Sequence, residues 1–238
     1  MRIAVAAIAL FAFLPQQGID SAVLNHAARM DADRATDAGR KVLEVYEWIG
    51  IRPGMDVADV FAGTGYNTQL LGLALGNESQ IHSVLGFFAA TAKENFGLDF
   101  KANTEQRIEA ADLTNVTIHS TLADLPDMSL DAIVSIRNYH DIGFFGGDAA
   151  EALANMHRAL RSGGVVGVVE VATDNSGWDA NTHRLGREAV ISEFTSNGFE
   201  LVDESDMLAN PDDDHSADGF ATGRHLSDRY LLKFRKAG

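Results

Sequence analysis

Two stretches of the chain concentrate residues able to do chemistry. In the first, Asp59 leads into Phe61-Ala62-Gly63-Thr64-Gly65. Glycines at alternate positions let a chain turn sharply and let a ligand lie against bare main chain. The Asp59 carboxylate can accept from loop amides or from a ligand ammonium group. In the second, Asn138-Tyr139-His140-Asp141 sets an amide, a phenol, an imidazole and a carboxylate side by side. An imidazole titrates near ~6.5, which makes His140 the best general-base candidate. Asp141 would orient it or bind a cationic substrate, and Tyr139 would stack or donate a hydrogen bond. The plainer alternative has Asn138 and Asp141 capping a loop, with His140 buried and satisfied. Glu170 lies inside an apolar run and needs a partner if buried; His140, Arg184 and Arg137 can each supply one. His183 and Arg184 precede a helical pattern and read equally well as site residues or as a surface pair. The working hypothesis is a polar pocket of His140, Asp141, Glu170, His183 and Arg184.

Other clusters carry less. Asp212, Asp213, Asp214, His215 and Asp218 crowd one loop and could hold a hard cation, but the twelve-residue EF-hand spacing is missing, so a solvated acidic loop is the better reading. His140 with His183 and Glu170 could make a metal site. Sequence gives no ligand geometry, and no metal is predicted. Asp33, Asp37, Arg40 and Glu44 fall on one helical face. Glu44 reads as part of a solvated, paired stripe, whereas Asp37 and Arg40 are equally compatible with a helix that covers a bound ligand.

Composition narrows the classes. The 238 residues include 19 basic and 34 acidic side chains, a formal net charge of −15, which argues against sequence-blind nucleic-acid binding. With no cysteine, thiolate nucleophiles, disulfides, cysteine-bound zinc and iron–sulfur clusters are all excluded. A hydrophobic content of 46% with 22% charged residues is globular.

The elements that would position these residues alternate. Arg34 to Ile49 has helical spacing, stopped by Gly50 and Pro53-Gly54. Met55 to Phe61 is a buried strand, Tyr66 to Leu75 a helix, Gln80 to Leu85 a second strand, and residues 88–110 helix and loop. Val116 to Ser120 and Leu130 to Ile136 are the third and fourth strands. Asp148 to Arg161 is a helix capped by Asp148 and closed by Gly163-Gly164. Val165 to Ala172 is a fifth strand with both faces buried, Arg187 to Asn197 a helix, and Phe199 to Ser205 and Tyr230 to Arg235 the last strands. Strands separated by helices imply a parallel sheet covered on both faces, in one domain spanning about residues 31–238. Only a polar loop joins the last two strands, so their pairing can be antiparallel.

Ahead of this domain, Ile3 to Leu14 is an unbroken apolar run behind Arg2. Twelve residues are short of the ~20 that span a bilayer but suit a signal-peptide core. Residues 1–22 therefore read as a signal-peptide-like or anchor segment, and export is slightly favoured over a cytoplasmic location. Membrane contact is expected only through that segment.

The stretch Asp59-Val-Phe-Ala-Gly63-Thr-Gly65-Tyr66 resembles the first motif of class I S-adenosylmethionine-dependent methyltransferases. So do Leu125-Pro126, Asn138-Tyr139-His140-Asp141 and Leu160-Arg-Ser-Gly163-Gly164, in the same order across residues 34–238. The chain is more narrowly similar to a bacterial group of predicted methyltransferases that often carry signal peptides. That likeness rests on His183-Arg184-Leu-Gly-Arg-Glu188-Ala-Val190, on Glu204-Ser-Asp206 to Asn210-Pro211, on Ser227-Asp228-Arg229 and on Lys233-Phe234-Arg235-Lys236. The resemblance implies an α/β, Rossmann-like seven-stranded, mostly parallel sheet with helices on both faces and an antiparallel last strand beside the fifth. It implies S-adenosyl-L-methionine as cofactor and a small-molecule methyl acceptor. Asp59, Gly63, Thr64 and Gly65 would line the methionine part. The backbone at Leu122 and Ala123 would flank the adenine, and Asn138 would lie near the methyl group. Two departures stand out. Phe61 replaces the first glycine of the commonest motif, and Leu85, which cannot accept a hydrogen bond, stands where an acid usually holds the ribose.

Methyl transfer is an in-line displacement that needs alignment, desolvation and often a base. The alternative is a catalytically inactive or divergent nucleotide-like binder on the same fold. A nicotinamide enzyme is disfavoured, because Thr68 stands where the dinucleotide fingerprint places its third glycine. The methyl-transfer reading requires the bend after residue 60 to be open enough for a sulfonium nucleoside to lie against main chain, and it fails if Phe61 or Leu85 plugs that hollow with no room left for a purine.

Overall fold

A computed structural model describes residues 18–218 and 226–238. Residues 1–17, with the apolar run of the expected leader, lie outside the described residues. Among the described residues no helix is long and apolar enough to cross a membrane.

Seven strands form the main sheet. They are β1 (Val57–Val60), β2 (Ile81–Val84), β3 (Val116–His119), β4 (Leu130–Ile136), β5 (Leu160–Val171), β8 (Phe199–Ser205) and β9 (Arg229–Lys236). Between them, β6 (Trp178–Asp179) and β7 (Arg184–Leu185) make a separate two-stranded hairpin. The sheet order is β3-β2-β1-β4-β5-β9-β8. The pairs of β1 with β2 and β4, of β2 with β3 and of β4 with β5 are parallel. β9 is antiparallel to both of its neighbours, β5 and β8. The expected inserted antiparallel strand is therefore present.

Eight helices punctuate the described chain: α1 (Asp31–Arg40), α2 (Val42–Ile49), α3 (Tyr66–Leu75), α4 (Ala89–Phe96), α5 (Phe100–Ala110), α6 (Asp141–Phe144), α7 (Ala149–Ala159) and α8 (Arg187–Ser196). The sheet separates two apolar cores. On one face Val42, Val45 and Ile49 of α2 and Leu70 and Leu71 of α3 meet Val57, Ala132 and Val169. On the other, Leu153 and Met156 of α7 and Val190 and Phe194 of α8 meet Val60, Ile133 and Val168. Adjacent residues of one strand serve opposite cores, as the period of two requires, and this double burial explains the near-continuous apolar runs. Gly167 lets α2 press close, since a Cβ there would collide with the Ile49 side chain.

Three expected boundaries shift. The single helix over residues 34–49 is two helices, because Lys41 is left-handed with φ 45°. The bend turns α1 toward α3, where Asp37 and Arg40 engage Tyr66. Gly163-Gly164 does not close α7, which ends at Ala159; both glycines sit in a register shift near the start of β5. Ile19, Val23 and Leu24, ahead of the expected domain start, pack on the α2-side core. Arg29 is buried and bonded to Asp37 at 2.6 and 2.8 Å.

In such sheets ligands sit beyond the carboxyl ends of the strands, where the order reverses. Here that point lies between β1 and β4.

Candidate active site

The turn after β1 has two dissimilar glycines. Gly63, with φ 56°, is half-exposed, and a Cβ there would meet nothing within 4 Å. Gly65, with φ 84°, is buried against α5, where a Cβ would lie 2.7 Å from Thr104 Oγ1. Gly63 thus leaves main chain open to a ligand, whereas Gly65 serves helix packing and the left-handed entry to α3. Thr64 lies half-exposed between them.

Phe61 is 3% exposed and holds φ 56°, a left-handed conformation rare outside glycine. Its ring rests over Gly86, just past β2, where a Cβ would lie 2.7 Å from Phe61 Cδ1. It also faces Phe88, with centroids 5.6 Å apart. Leu85, one residue before Gly86, is buried as well. The bend is therefore open on its Gly63 side and filled on its β2 side.

Asp59 is fully buried behind the turn. Its Oδ2 accepts from Thr68 Oγ1 at 2.7 Å, and Thr68 in turn meets Ser83 Oγ at 2.9 Å. Burial pushes the Asp59 carboxyl up to about 7, against the opposing pull of the Thr68 bonds. Asn138 is tied into the frame as well: its Nδ2 donates to the carbonyls of Val60 and Phe61 at 2.9 Å, and its Oδ1 accepts from Ser135. Leu122 is buried and Ala123 exposed. The guanidinium of Arg158 donates to both of their carbonyls.

The loop after β4 builds a buried polar cluster. Glu170, 0% exposed near the end of β5, accepts from His140 Nδ1 at 2.5 Å and from the amides of Tyr139 and His140. Burial alone would lower the His140 imidazole, but the Glu170 charge and hydrogen bond, helped by Asp141, hold it above its ordinary value. The same partnership keeps Glu170 below the usual carboxylate range despite its burial. Asp141 opens α6 and approaches both rings, with Oδ1 3.6 Å from His140 Nε2 and 3.3 Å from His183 Nε2. His183 comes from the β6–β7 turn, where it holds φ 52°. Its ring meets His140 edge-on at 4.5 Å, and Trp178 stacks on His140 at 5.7 Å. Burial drives the His183 imidazole down, against its hydrogen bond to Asp141.

Asp141 and His183 form one wall of a pocket of about 440 Å³ whose other walls include Phe88, Phe100, Phe144 and Phe145. That volume is in the range of small-molecule sites. Phe88 belongs both to this pocket and to the ring pair with Phe61, so the aromatic wall reaches the side chain that fills the β2 side of the bend.

Of the sequence candidates, His140, Asp141, Glu170 and His183 are brought together. Tyr139 and Arg184 are not part of the group. Tyr139 points into the core, bonded through its hydroxyl to Glu193 at 2.6 Å and packed on Phe194. Arg184, 1% exposed, grips both Asp213 oxygens and the carbonyls of Ala172 and Ala217. It thereby ties down the acidic loop, in which His215 bridges Asp174 and Asp228. The aromatic wall escaped sequence reading, although the Phe87-Phe88 and Phe144-Phe145 pairs were its visible trace.

No family model matches the chain, and no curated protein sequence matches it. Solved structures do. A SAM-dependent methyltransferase from Aquifex aeolicus superimposes with TM-score 0.59 at 13% identity, covering 82% of this chain and 88% of its own. The 4+2 cyclase SpnF gives 0.58 at 20% identity, covering 87% and 81%. The 1,6-didemethyltoxoflavin-N1-methyltransferase of Burkholderia thailandensis, solved with bound 1,6-didemethyltoxoflavin and S-adenosylhomocysteine, gives 0.50 at 16%, covering 87% and 79%. The fold is thus the Rossmann-like fold of class I methyltransferases.

Proposed function

We propose that this chain transfers a methyl group from S-adenosylmethionine to a small, largely apolar acceptor. The observation that carries the reading is an aromatic pocket with a polar wall, linked through the Phe88–Phe61 ring contact to the β1 turn in which Gly63 leaves main chain bare. Gly63 and Thr64 fit close approach of a ligand's polar tail to main chain. When bound there, S-adenosylmethionine supplies an electrophilic methyl on sulfur. The phenylalanines hold the acceptor and exclude water from the transfer. His183 and Asp141, 3.3 Å apart, give the pocket a polar edge for the acceptor's reacting group, and burial drives the His183 imidazole down. The small-molecule methyltransferase among the structural neighbours and the acidic surface support a small acceptor over a nucleic acid.

A second reading, a divergent binder that kept the fold, is favoured by Phe61 over Gly86 and by Leu85. The fold also carries a 4+2 cyclase, so architecture alone does not decide. Calorimetric titration with S-adenosylhomocysteine separates the two. Saturable one-to-one binding is expected, with NAD silent; no heat from S-adenosylhomocysteine at millimolar concentration would sink methyl transfer. Phe61→Gly refines the test. Glycine accepts the positive φ and vacates the ring's place, so affinity should rise about tenfold, equivalent to ~1.4 kcal/mol. A fall would mean that the ring stacks on the ligand rather than displacing it.

A further inference from the structure

We infer that His140, Asp141 and His183 form a binding site for a divalent first-row transition-metal ion at the wall of the aromatic pocket. Each side chain offers one ligand atom, and the three lie within 4.8 Å of one another. Donors sharing one ion at ~2.1 Å stand roughly 3–3.5 Å apart. Asp141 Oδ1 already lies 3.3 Å from His183 Nε2 and 3.6 Å from His140 Nε2, so small side-chain rotations suffice. The second observation is the support behind the cluster. Glu170 takes His140 by Nδ1 at 2.5 Å and is itself fixed by the Tyr139 and His140 amides. That contact turns Nε2 toward Asp141, the carboxylate–histidine arrangement that orients metal ligands and raises their basicity. Trp178 and Phe144 pack on the two imidazoles and restrict their rotation.

Two imidazoles and one carboxylate select transition ions over magnesium or calcium and leave coordination positions open. Asp141 and His183 line the pocket, so those positions face it. An occupant there would carry an oxygen donor on an apolar body. This last step rests on the methyl-transfer reading, whereas the ion site does not.

The test uses the untagged full chain, dialysed against chelator and titrated with Co²⁺ while visible absorption and heat are recorded. One equivalent should bind with a new d–d band, Zn²⁺ should displace it, and Mg²⁺ should not. Asp141→Asn and His183→Ala should each weaken Co²⁺ at least tenfold, and Glu170→Gln by 10- to 100-fold. Circular dichroism confirms that each variant is folded. Should a variant not fold, the wild type still decides: Zn²⁺ should raise its melting temperature, and chelator should reverse the rise. Absence of stoichiometric Co²⁺ binding, or equal binding by Asp141→Asn and wild type, would overturn the assignment. Because these readouts need no S-adenosylmethionine, failure here leaves the methyl-transfer reading standing, and the converse holds.

Discussion

Glu170 is the residue on which the buried cluster depends. Converting it to glutamine removes the negative charge bonded to His140 Nδ1, at an expected cost of about 3 kcal/mol. The pH dependence has two limbs. His140 is raised above 6.5, so its share is complete below that pH and lost as pH rises through the raised value. Glu170 is lowered below 4.5, so its share is complete above that pH and lost as pH falls. The gap between wild type and Glu170→Gln in urea unfolding should be widest between pH 4.5 and 6.5; a gap constant with pH would refute the pair. Asp59 behaves oppositely. With its carboxyl raised to about 7 from 3.8, folding favours the protonated form, so stability falls across that interval as pH rises and stays reduced above it. Asp59→Asn should match wild type in melting temperature near pH 4 and exceed it above pH 7. That Glu170 needs a counter-group was legible, because a carboxylate in an apolar strand demands one, but the choice of His140 over Arg184 and Arg137 was not. That Tyr139 and Arg184 would turn away was not: both have polar tips, and only tertiary packing decides whether those meet Glu193 and Asp213 or a ligand.

Among the elements, strands and strong helices followed from periodicity, whereas breaks did not. Gly39, two residues before the bend at Lys41, is its one local signal, and a glycine inside a helical pattern does not by itself end a helix. The bend exists because α1 packs toward Tyr66 while α2 packs on the sheet, a demand set by distant residues. The β6–β7 hairpin was hidden for a similar reason, since two-residue strands leave no alternation to read. Yet this hairpin delivers His183, so the least legible element carries a candidate ligand. The seating of α2 can be probed directly. Gly167→Ala drives a methyl group into Ile49 and should cost about 1–3 kcal/mol. Adding Ile49→Val should recover part of that loss by chemical denaturation, and purely additive losses would show that the two side chains do not meet.

For the molecule as a whole, the net charge of −15 means mutual repulsion among surface carboxylates in the compact state. Raising salt from about 0.02 to 0.5 M shortens the screening length several-fold and should raise the melting temperature; a decrease would indicate that cross-element pairs such as Arg187 with Glu204 and Asp206 outweigh the repulsion. The sheet order has a further consequence during synthesis. β8 emerges from the ribosome well before β9, yet its ladder is made with β9 alone, and β9 occupies the berth beside β5. Until Arg229–Lys236 has been made, β5 keeps a raw edge and β8 has nowhere to dock. A nascent chain stalled short of that point should therefore present the bare apolar edge of β5 to chaperones, with the more polar β8 unpaired.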